Sequence, residues 1–273
     1  MLVLVPLLFA RDLVLAGTLR THRVNQTRVS LAPFVERLSS RVEFSHAEED
    51  AILALPYTLR TLEAGEHFIR DGDKPLHCCL MLDGFTVRDK VVAGGSRQIL
   101  AVHMRGDMVD LQNVLLERSD HNVQALTRCE IAVIPRTALE ELSFAHAPVG
   151  KALWYETLVD GSVFREWIAN VGQRDARTRI AHILCEFAIR LEAAGLAKTS
   201  SYELPMTQDQ LADAVGLTPV HVNRTLMALG REGLIERRRR SVRIDDWKEL
   251  ARVADFDPSY LHLPTGSPGA KGA

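Results

Sequence analysis

The chain has 273 residues, a formal net charge of -2, 47% hydrophobic and 25% charged residues. That is enough for one large domain or two ordinary ones with a real core, and the near-neutral balance excludes a polycation, so any nucleic-acid surface must be local. Four scattered cysteines (Cys78, Cys79, Cys129, Cys185), two of them adjacent, exclude a disulfide framework and fit a reduced, cytoplasmic setting.

The first stretch, "MLVLVPLLFA", is apolar but far too short to span a bilayer, and no positive charge precedes it. Residues 1–28 read as a disordered or ill-fitting extension, with the native start expected near Val29. "LAPFVERLSSRV" then places Leu31, Phe34, Val35 and Leu38 at helical spacing, and "SHAEEDAILALP" opens on Ser45 with Glu48 three residues on, the spacing of a capping box. Pro56 ends that second helix.

From Tyr57 to Arg136 turn signals recur every few residues: Ala64-Gly65, Asp71-Gly72-Asp73, Asp83-Gly84, Gly94-Gly95, Gly106-Asp107. Short apolar runs such as "HCCLML", "RQILAVHM" and "EIAVIP" lie between them. Many short strands at this spacing predict a jelly roll or small barrel, with Asp83-Gly84 as a hairpin turn.

Beyond Pro148, Val149, Leu153, Trp154, Leu158, Val163, Phe164, Ile168 and Val171 mark a long helix with a broad apolar stripe. Residues 171–175 form a candidate hinge. A further helix runs from Asp175, its expected N-cap, to Gly195. Thr207 and Gln210 then form a T-x-x-Q capping box, Gly216 makes a turn, and Thr218-Pro219 open the next helix. Two short helices joined by a glycine turn make a helix-turn-helix; "LIERRRRSVRI" reads as two strands with a basic tip, which adds a wing.

On a helical wheel, Leu226 and Leu229 fall within about 40° of Val222, and Arg224 lies about 160° away. The helix therefore buries three aliphatics and presents Arg224, flanked by Val220 and Met227, with His221 and Asn223 at the sides. Arginine can bridge guanine O6 and N7, asparagine can pair with adenine, and valine can touch a thymine methyl. A solvated surface helix is the plain alternative. The neighbourhood weighs against it: from Arg224 to Arg243 there are seven arginines against two acids, four of them at Arg237, Arg238, Arg239 and Arg240, a pattern suited to phosphate contact.

The order of elements, together with "TQDQLADAVGLTPVHVNRTLMALGREGLI", resembles the Crp/Fnr family of bacterial transcription regulators over about Leu31 to Trp247. The resemblance implies an α+β chain: an N-terminal β-roll or jelly roll of the cyclic-nucleotide-binding type, a long dimerisation helix, and a C-terminal winged helix-turn-helix. It divides the chain into a sensor at 29–147, the dimerisation helix at 148–171 and the DNA-binding domain at 172–256; the tail at 257–273 reads as disordered from its composition. It also implies a homodimer on a palindromic site. By position Arg224 matches the family's base-reading arginine, and Thr207 and Gln208 match positions that touch phosphate; Thr218, Val220, His221 and Asn223 complete the expected DNA surface. Pro219-Val220 stands where the catabolite activator has an Arg-Glu pair, so the half-site preference should differ from that protein's.

The sensor departs further from the pattern. In members that bind cyclic AMP a Gly-Glu pair takes the ribose and an Arg-Ser or Arg-Thr pair clamps the phosphate. The corresponding positions here read Asp110-Leu111 and Ser119-Asp120, or Arg118-Ser119 after a slip of one or two residues. Asp120 would oppose an anionic ligand. Asp110, Leu111, Arg118, Ser119 and Asp120 are thus candidate effector-pocket residues, with cyclic AMP expected not to be the effector. An unidentified small molecule could serve, and no cofactor is indicated. Adjacent Cys78 and Cys79 would point to opposite faces of a strand, which disfavours joint metal ligation, and no metal site is expected. A cupin-type metalloenzyme would need an H-x-H pair, which "GEHFIRDGD" lacks. The expectation is therefore not an enzyme. Its partners would be double-stranded DNA, a second copy of the chain and RNA polymerase, without a membrane. A small-molecule-binding regulatory module with no direct DNA role is the alternative.

Overall fold

The computed structural model describes residues 30–264, so the expectations for residues 1–28 and 265–273 lie outside the described residues. Helices α1 (Ala32–Ser39) and α2 (His46–Leu53) come first. The backbone N–H of Ser45 donates to the Glu48 carboxylate at 2.6 Å, which closes the capping box at the start of α2.

Seven strands follow: β1 (Thr58–Leu62), β2 (His67–Ile69), β3 (His77–Asp83), β4 (Thr86–Val91), β5 (Arg97–His103), β6 (Asn122–Ala125) and β7 (Cys129–Pro135). They pair antiparallel in two sheets, ordered β1-β7-β3 and β2-β6-β4-β5. The roll encloses Leu62, Ile69, Met81, Val109, Val123 and Ile131.

Asp83-Gly84 is not a hairpin turn. β3 pairs with β7 and β4 with β5 and β6, so at this point the chain crosses from one sheet to the other. Gly84 has φ +80, and a Cβ there would strike the carbonyl of Arg128. The Phe85 N–H donates to the Thr127 hydroxyl at 3.0 Å, which fastens the crossover. Turn chemistry marks a reversal of the chain; which strands then pair is decided by how the two sheets close on each other.

After α3 (Arg136–Ala145), helix α4 runs from Ala147 to Gln173. Only Arg174 and Asp175 separate it from α5 (Ala176–Ala193), whose N-cap Asp175 accepts from the Thr178 N–H at 2.9 Å. Strand β8 (Ser201–Glu203), α6 (Gln208–Val215), α7 (Pro219–Arg231), β9 (Ile235–Arg238), β10 (Ser241–Ile244) and α8 (Trp247–Val253) complete the second half. β8 joins the wing as a third strand, giving the order β8-β10-β9.

One core runs through both halves. Val87, Ile99, Val102 and Met104 of the roll pack with the buried residues of α5, α6 and α7. Polar contacts reinforce this junction: the Gln98 amide donates to the Ala214 carbonyl at 3.1 Å, and Arg190 of α5 donates to the Val102 carbonyl at 2.7 Å.

The stretch expected to be a disordered tail is ordered as far as it is described. Residues Pro258–Leu261 form a 3-10 turn capped by Asp257, and Leu261 is buried. The Tyr260 hydroxyl donates to Glu186 at 2.8 Å and lies 3.1 Å from His182 Nε2, while the Arg41 guanidinium holds the His262 carbonyl. The polar, proline-rich composition hides two anchors, Tyr260 and Leu261, whose value depends on pockets that only the tertiary fold creates.

His103 and His182 are both buried, and burial holds both below the ordinary value of 6.5. His103 is pushed down further by the cations Arg88, Arg190 and Arg37 and by His121. The folded chain thus keeps both rings neutral at pH values where the unfolded chain protonates them. Stability is full above the unfolded value and is lost as pH falls through it. The melting temperature should drop from about pH 7.5 to about pH 5.5, and His103→Gln should show a shallower drop; an identical slope in that variant would rule out His103 as a contributor.

Candidate nucleic-acid interface

The two helices of the motif are set by local chemistry. The Thr207 hydroxyl accepts from the Gln210 N–H at 3.2 Å, and the Gln210 side chain accepts from the Thr207 N–H at 2.8 Å. Gly216, at φ +64, ends α6 in the left-handed conformation that glycine adopts without strain. The Thr218 hydroxyl accepts from the His221 N–H at 3.3 Å, with Pro219 in the first turn of α7. Arg179 of α5 donates to the Val215 carbonyl at 3.1 Å and so steadies the turn from below.

Helix α7 buries Val222, Thr225, Leu226 and Leu229. Val220 is 78% exposed, Met227 59% exposed, and Asn223 and Arg224 lie in solvent, with His221 half-buried. Among the described residues no hydrogen bond or ion pair engages the Arg224 guanidinium. Asn223 is held: its oxygen accepts from the Gln208 amide at 3.1 Å. Thr207 and Thr218 use their hydroxyls as helix caps. Met227, which the helical wheel sets beside Arg224, lies exposed there, whereas sequence spacing could not show the Gln208–Asn223 bond, which joins two helices.

The four arginines of the wing are not equivalent. Arg237 is half-buried in β9, its Nε has no partner, and burial pulls its guanidinium below the ordinary value. Arg238 pairs with Glu236 at 2.7 Å, and Arg243 takes the other oxygen of the same carboxylate at 2.5 Å. Arg239 and Arg240 form the exposed tip, unpaired among the described residues, with Arg239 at φ +55. Strand alternation turns neighbouring side chains to opposite faces, so a run of like residues has members facing both ways.

Comparison with known proteins bears on this geometry. Residues 178–253 match the Crp-like helix-turn-helix domain, and residues 59–146 match the cyclic nucleotide-binding domain. The chain is 29% identical over 215 residues to the transcriptional activator protein FnrL of Cereibacter sphaeroides, covering 77% of this chain and 86% of that protein. It is 25% identical to the transcriptional activator protein anr of Pseudomonas aeruginosa, covering 88% and 98%. The solved structure of FixK2 from Bradyrhizobium japonicum superposes with a TM-score of 0.68 at 22% identity, covering 73% of this chain and 98% of that one.

The chain belongs to the Crp/Fnr family. It is a transcription regulator with a cyclic-nucleotide-binding-like domain and a DNA-binding helix-turn-helix.

In this Crp/Fnr chain the five candidate effector residues do not line one cavity. Asp110 and Ser119 are fully buried, Leu111 is half-buried, and Arg118 and Asp120 are exposed. Asp110, His121 and Asp120 form a chain, with His121 Nε2 3.3 Å from Asp110 and Nδ1 2.7 Å from Asp120. The bond from His121 holds the Asp120 carboxyl below its usual range. Ser119 donates to the His121 carbonyl at 2.9 Å, and Arg118 donates to the Gly72 carbonyl at 3.4 Å. Leu111 alone of the five borders a cavity of about 80 Å³ between the roll, α1, α4 and α5. That cavity is bordered by Arg37, Arg41, Arg88 and Arg190 against Asp107, Glu156 and Asp160.

Sequence inspection missed Arg88. Buried in β4, it donates to Asp160 of α4 at 2.8 Å and to the Val109 carbonyl at 2.7 Å, with its guanidinium 5.3 Å from the centre of the Phe164 ring. The strand reads TVRDKV, three charged residues in a row, so nothing local set Arg88 apart from Asp89 and Lys90. All four cysteines are free and buried; burial, aided by Asp110, pushes the Cys78 thiol up to about 12. Among the described residues, no group of three or more His, Cys, Asp or Glu side chains is placed to hold a metal ion.

The wing geometry sets an expectation for DNA binding. Arg240→Ala should weaken binding to all sequences alike and make the salt slope shallower by about 1, whereas Arg237→Ala should leave the slope unchanged. Equal slopes for wild type and Arg240→Ala in salt-titrated binding isotherms would remove the wing tip from the interface.

Proposed function

We propose that the protein acts as a homodimer that reads a palindromic DNA site with α7 of each subunit, and that its sensor answers to something other than cyclic AMP. In this reading residues 29–147 form the sensor, 148–171 the pairing helix and 172–256 the reading domain. The observation that carries it is Arg224: exposed, unpaired, and central on a helix fastened from behind by Val222, Leu226 and Leu229.

Pairing through α4 is supported by Trp154, Leu158 and Ile168, which lie on one face of the longest helix at 68%, 57% and 69% exposure. An apolar stripe of this kind is unfavourable in water, and an identical stripe related by a twofold axis removes it. Two recognition helices so related meet successive major grooves one helical turn apart.

The sensor reading is supported by charge. The cavity of about 80 Å³ between the roll and α4 is small, and the larger one of about 430 Å³ bordered by Leu111 and Trp154 is lined by no cation that could hold a phosphate. Arg88, a cation bordering the smaller cavity, is already neutralised by Asp160 at 2.8 Å and donates to the Val109 carbonyl. By the family resemblance Asp120 stands near the phosphate position, where its negative charge would oppose an anion.

Two measurements test this reading. In gel shifts with selected sites the retarded complex should contain two chains, and Arg224→Ala should cost about 1–3 kcal/mol while relaxing preference at a single base position; equal weakening on every sequence would make Arg224 a phosphate contact instead. Titration calorimetry with cyclic AMP should give no binding heat, and a micromolar or tighter isotherm would refute that part.

A further inference from the structure

The bond between Gln208 and Asn223 is the one side-chain link between α6 and α7 on the exposed face of the motif, among the described residues. Both ends are held in place. Gln208 is the first residue of α6, directly after the Thr207–Gln210 capping box that fixes that turn. Asn223 adjoins Arg224 on α7, whose angle to α6 is set by the left-handed Gly216 and by the burial of Val222 and Leu226.

The bond decides which way the Asn223 amide faces. Its oxygen accepts from Gln208 Nε2 at 3.1 Å. Oxygen and nitrogen diverge from the same carbon, so with the oxygen turned toward α6 the nitrogen turns away from it. Both N–H groups of that nitrogen are without a partner among the described residues. A freely rotating asparagine can give adenine one donor and one acceptor at once; an asparagine whose oxygen is engaged offers donors. In the major groove guanine presents two acceptors, O6 and N7, and thymine presents O4, whereas adenine sets its one acceptor, N7, beside the N6 donor that repels a second N–H.

We propose that Gln208 is a positioning residue that sets Asn223 as a hydrogen-bond donor, so that the base beneath Asn223 is selected as guanine or thymine over adenine. This rests on the reading of α7 as the base-contacting helix. It gives Gln208 a part in specificity, in place of the phosphate contact implied by its position in the motif.

The charge-altered variant Gln208→Glu reverses the geometry. A carboxylate can only accept, so Asn223 must turn its nitrogen toward residue 208 and its oxygen toward the groove. An oxygen there selects bases that present donors, adenine through N6 and cytosine through N4. The experiment is selection from a randomised half-site with purified wild type, Gln208→Glu, Gln208→Ala, Asn223→Ala and Arg224→Ala.

Wild type should favour guanine or thymine at one position, and Gln208→Glu should shift that position toward adenine or cytosine by about fivefold, the worth of one net hydrogen bond. Gln208→Ala should broaden the same position, and Asn223→Ala should erase its preference, with unchanged melting temperatures showing intact folds. The proposal is overturned if both residue-208 variants keep the wild-type base profile; uniformly weaker binding to all sequences would then make Gln208 a phosphate contact. It is also overturned, together with the reading beneath it, if Asn223→Ala and Arg224→Ala both leave the whole profile unchanged. A changed profile for Arg224→Ala with none for Asn223→Ala overturns the role of Asn223 alone.

Discussion

A helix buried on every side must find partners for each of its charged residues. That is the situation of α5, in which Ile180 through Ile189 are all buried along with Leu191. It carries His182, Glu186 and Arg190 at intervals of four, on a single stripe. Glu186 accepts from the Trp167 indole of α4 at 2.9 Å, from the Tyr260 hydroxyl at 2.8 Å and from Arg190 of its own helix at 3.2 Å. His182 meets the Ala254 carbonyl at 3.2 Å. Arg190 continues to the Val102 carbonyl of the roll. A buried carboxylate without such donors would be strongly destabilising. The need to satisfy this stripe fixes the positions of α4, of the segment after α8 and of the roll around one helix, and the recognition helix inherits its position from that arrangement.

The sensor half meets the same constraint with ion pairs. Arg37 of α1 bridges Glu156 of α4 at 2.8 Å and Asp107 of the roll at 3.5 Å, and Arg190 reaches Asp107 from the other side at 3.4 Å. Arg88 ties β4 to α4 through Asp160. Four elements thus share one charged junction. Removing one member leaves another unpaired in a region of low water access, which makes the junction cooperative rather than a sum of separate bonds. Any event that moves Asp107 or Asp160 is felt by both α4 and α5.

What could be read from the sequence divides along physical lines. Caps and turns are local, so Ser45, Asp175, Thr207, Gly216, Thr218 and Pro219 declare their helices without knowledge of the rest of the chain. The buried face of α7 follows from helical period alone. Strand pairing is not local: Asp83-Gly84 has the residues of a hairpin yet links two sheets, because the closure of the roll assigns β3 to β7. Composition failed at residues 257–264 for the same reason, since Tyr260 and Leu261 are anchors only once α4 and α5 have built their pockets. In the candidate interface, the identity of the exposed residues was legible, but their commitments were not. Arg237 through Arg240 are alike as letters and differ as soon as β9 turns one inward, Glu236 takes another and the tip frees two.

The placement of the tryptophans has a practical consequence. The chain contains three. Trp154 stands in solvent on α4, Trp167 is buried with its indole bonded to Glu186 where α4 meets α5, and Trp247 packs edge-on against Phe256 at a ring distance of 6.2 Å behind the reading domain. Each indole therefore lies at a different mechanical joint, in a different polarity. The protein carries its own optical reporters, and single-tryptophan versions would let events at the exposed face of α4, movement between α4 and α5, and loosening of the reading domain be followed separately by fluorescence without attaching a dye.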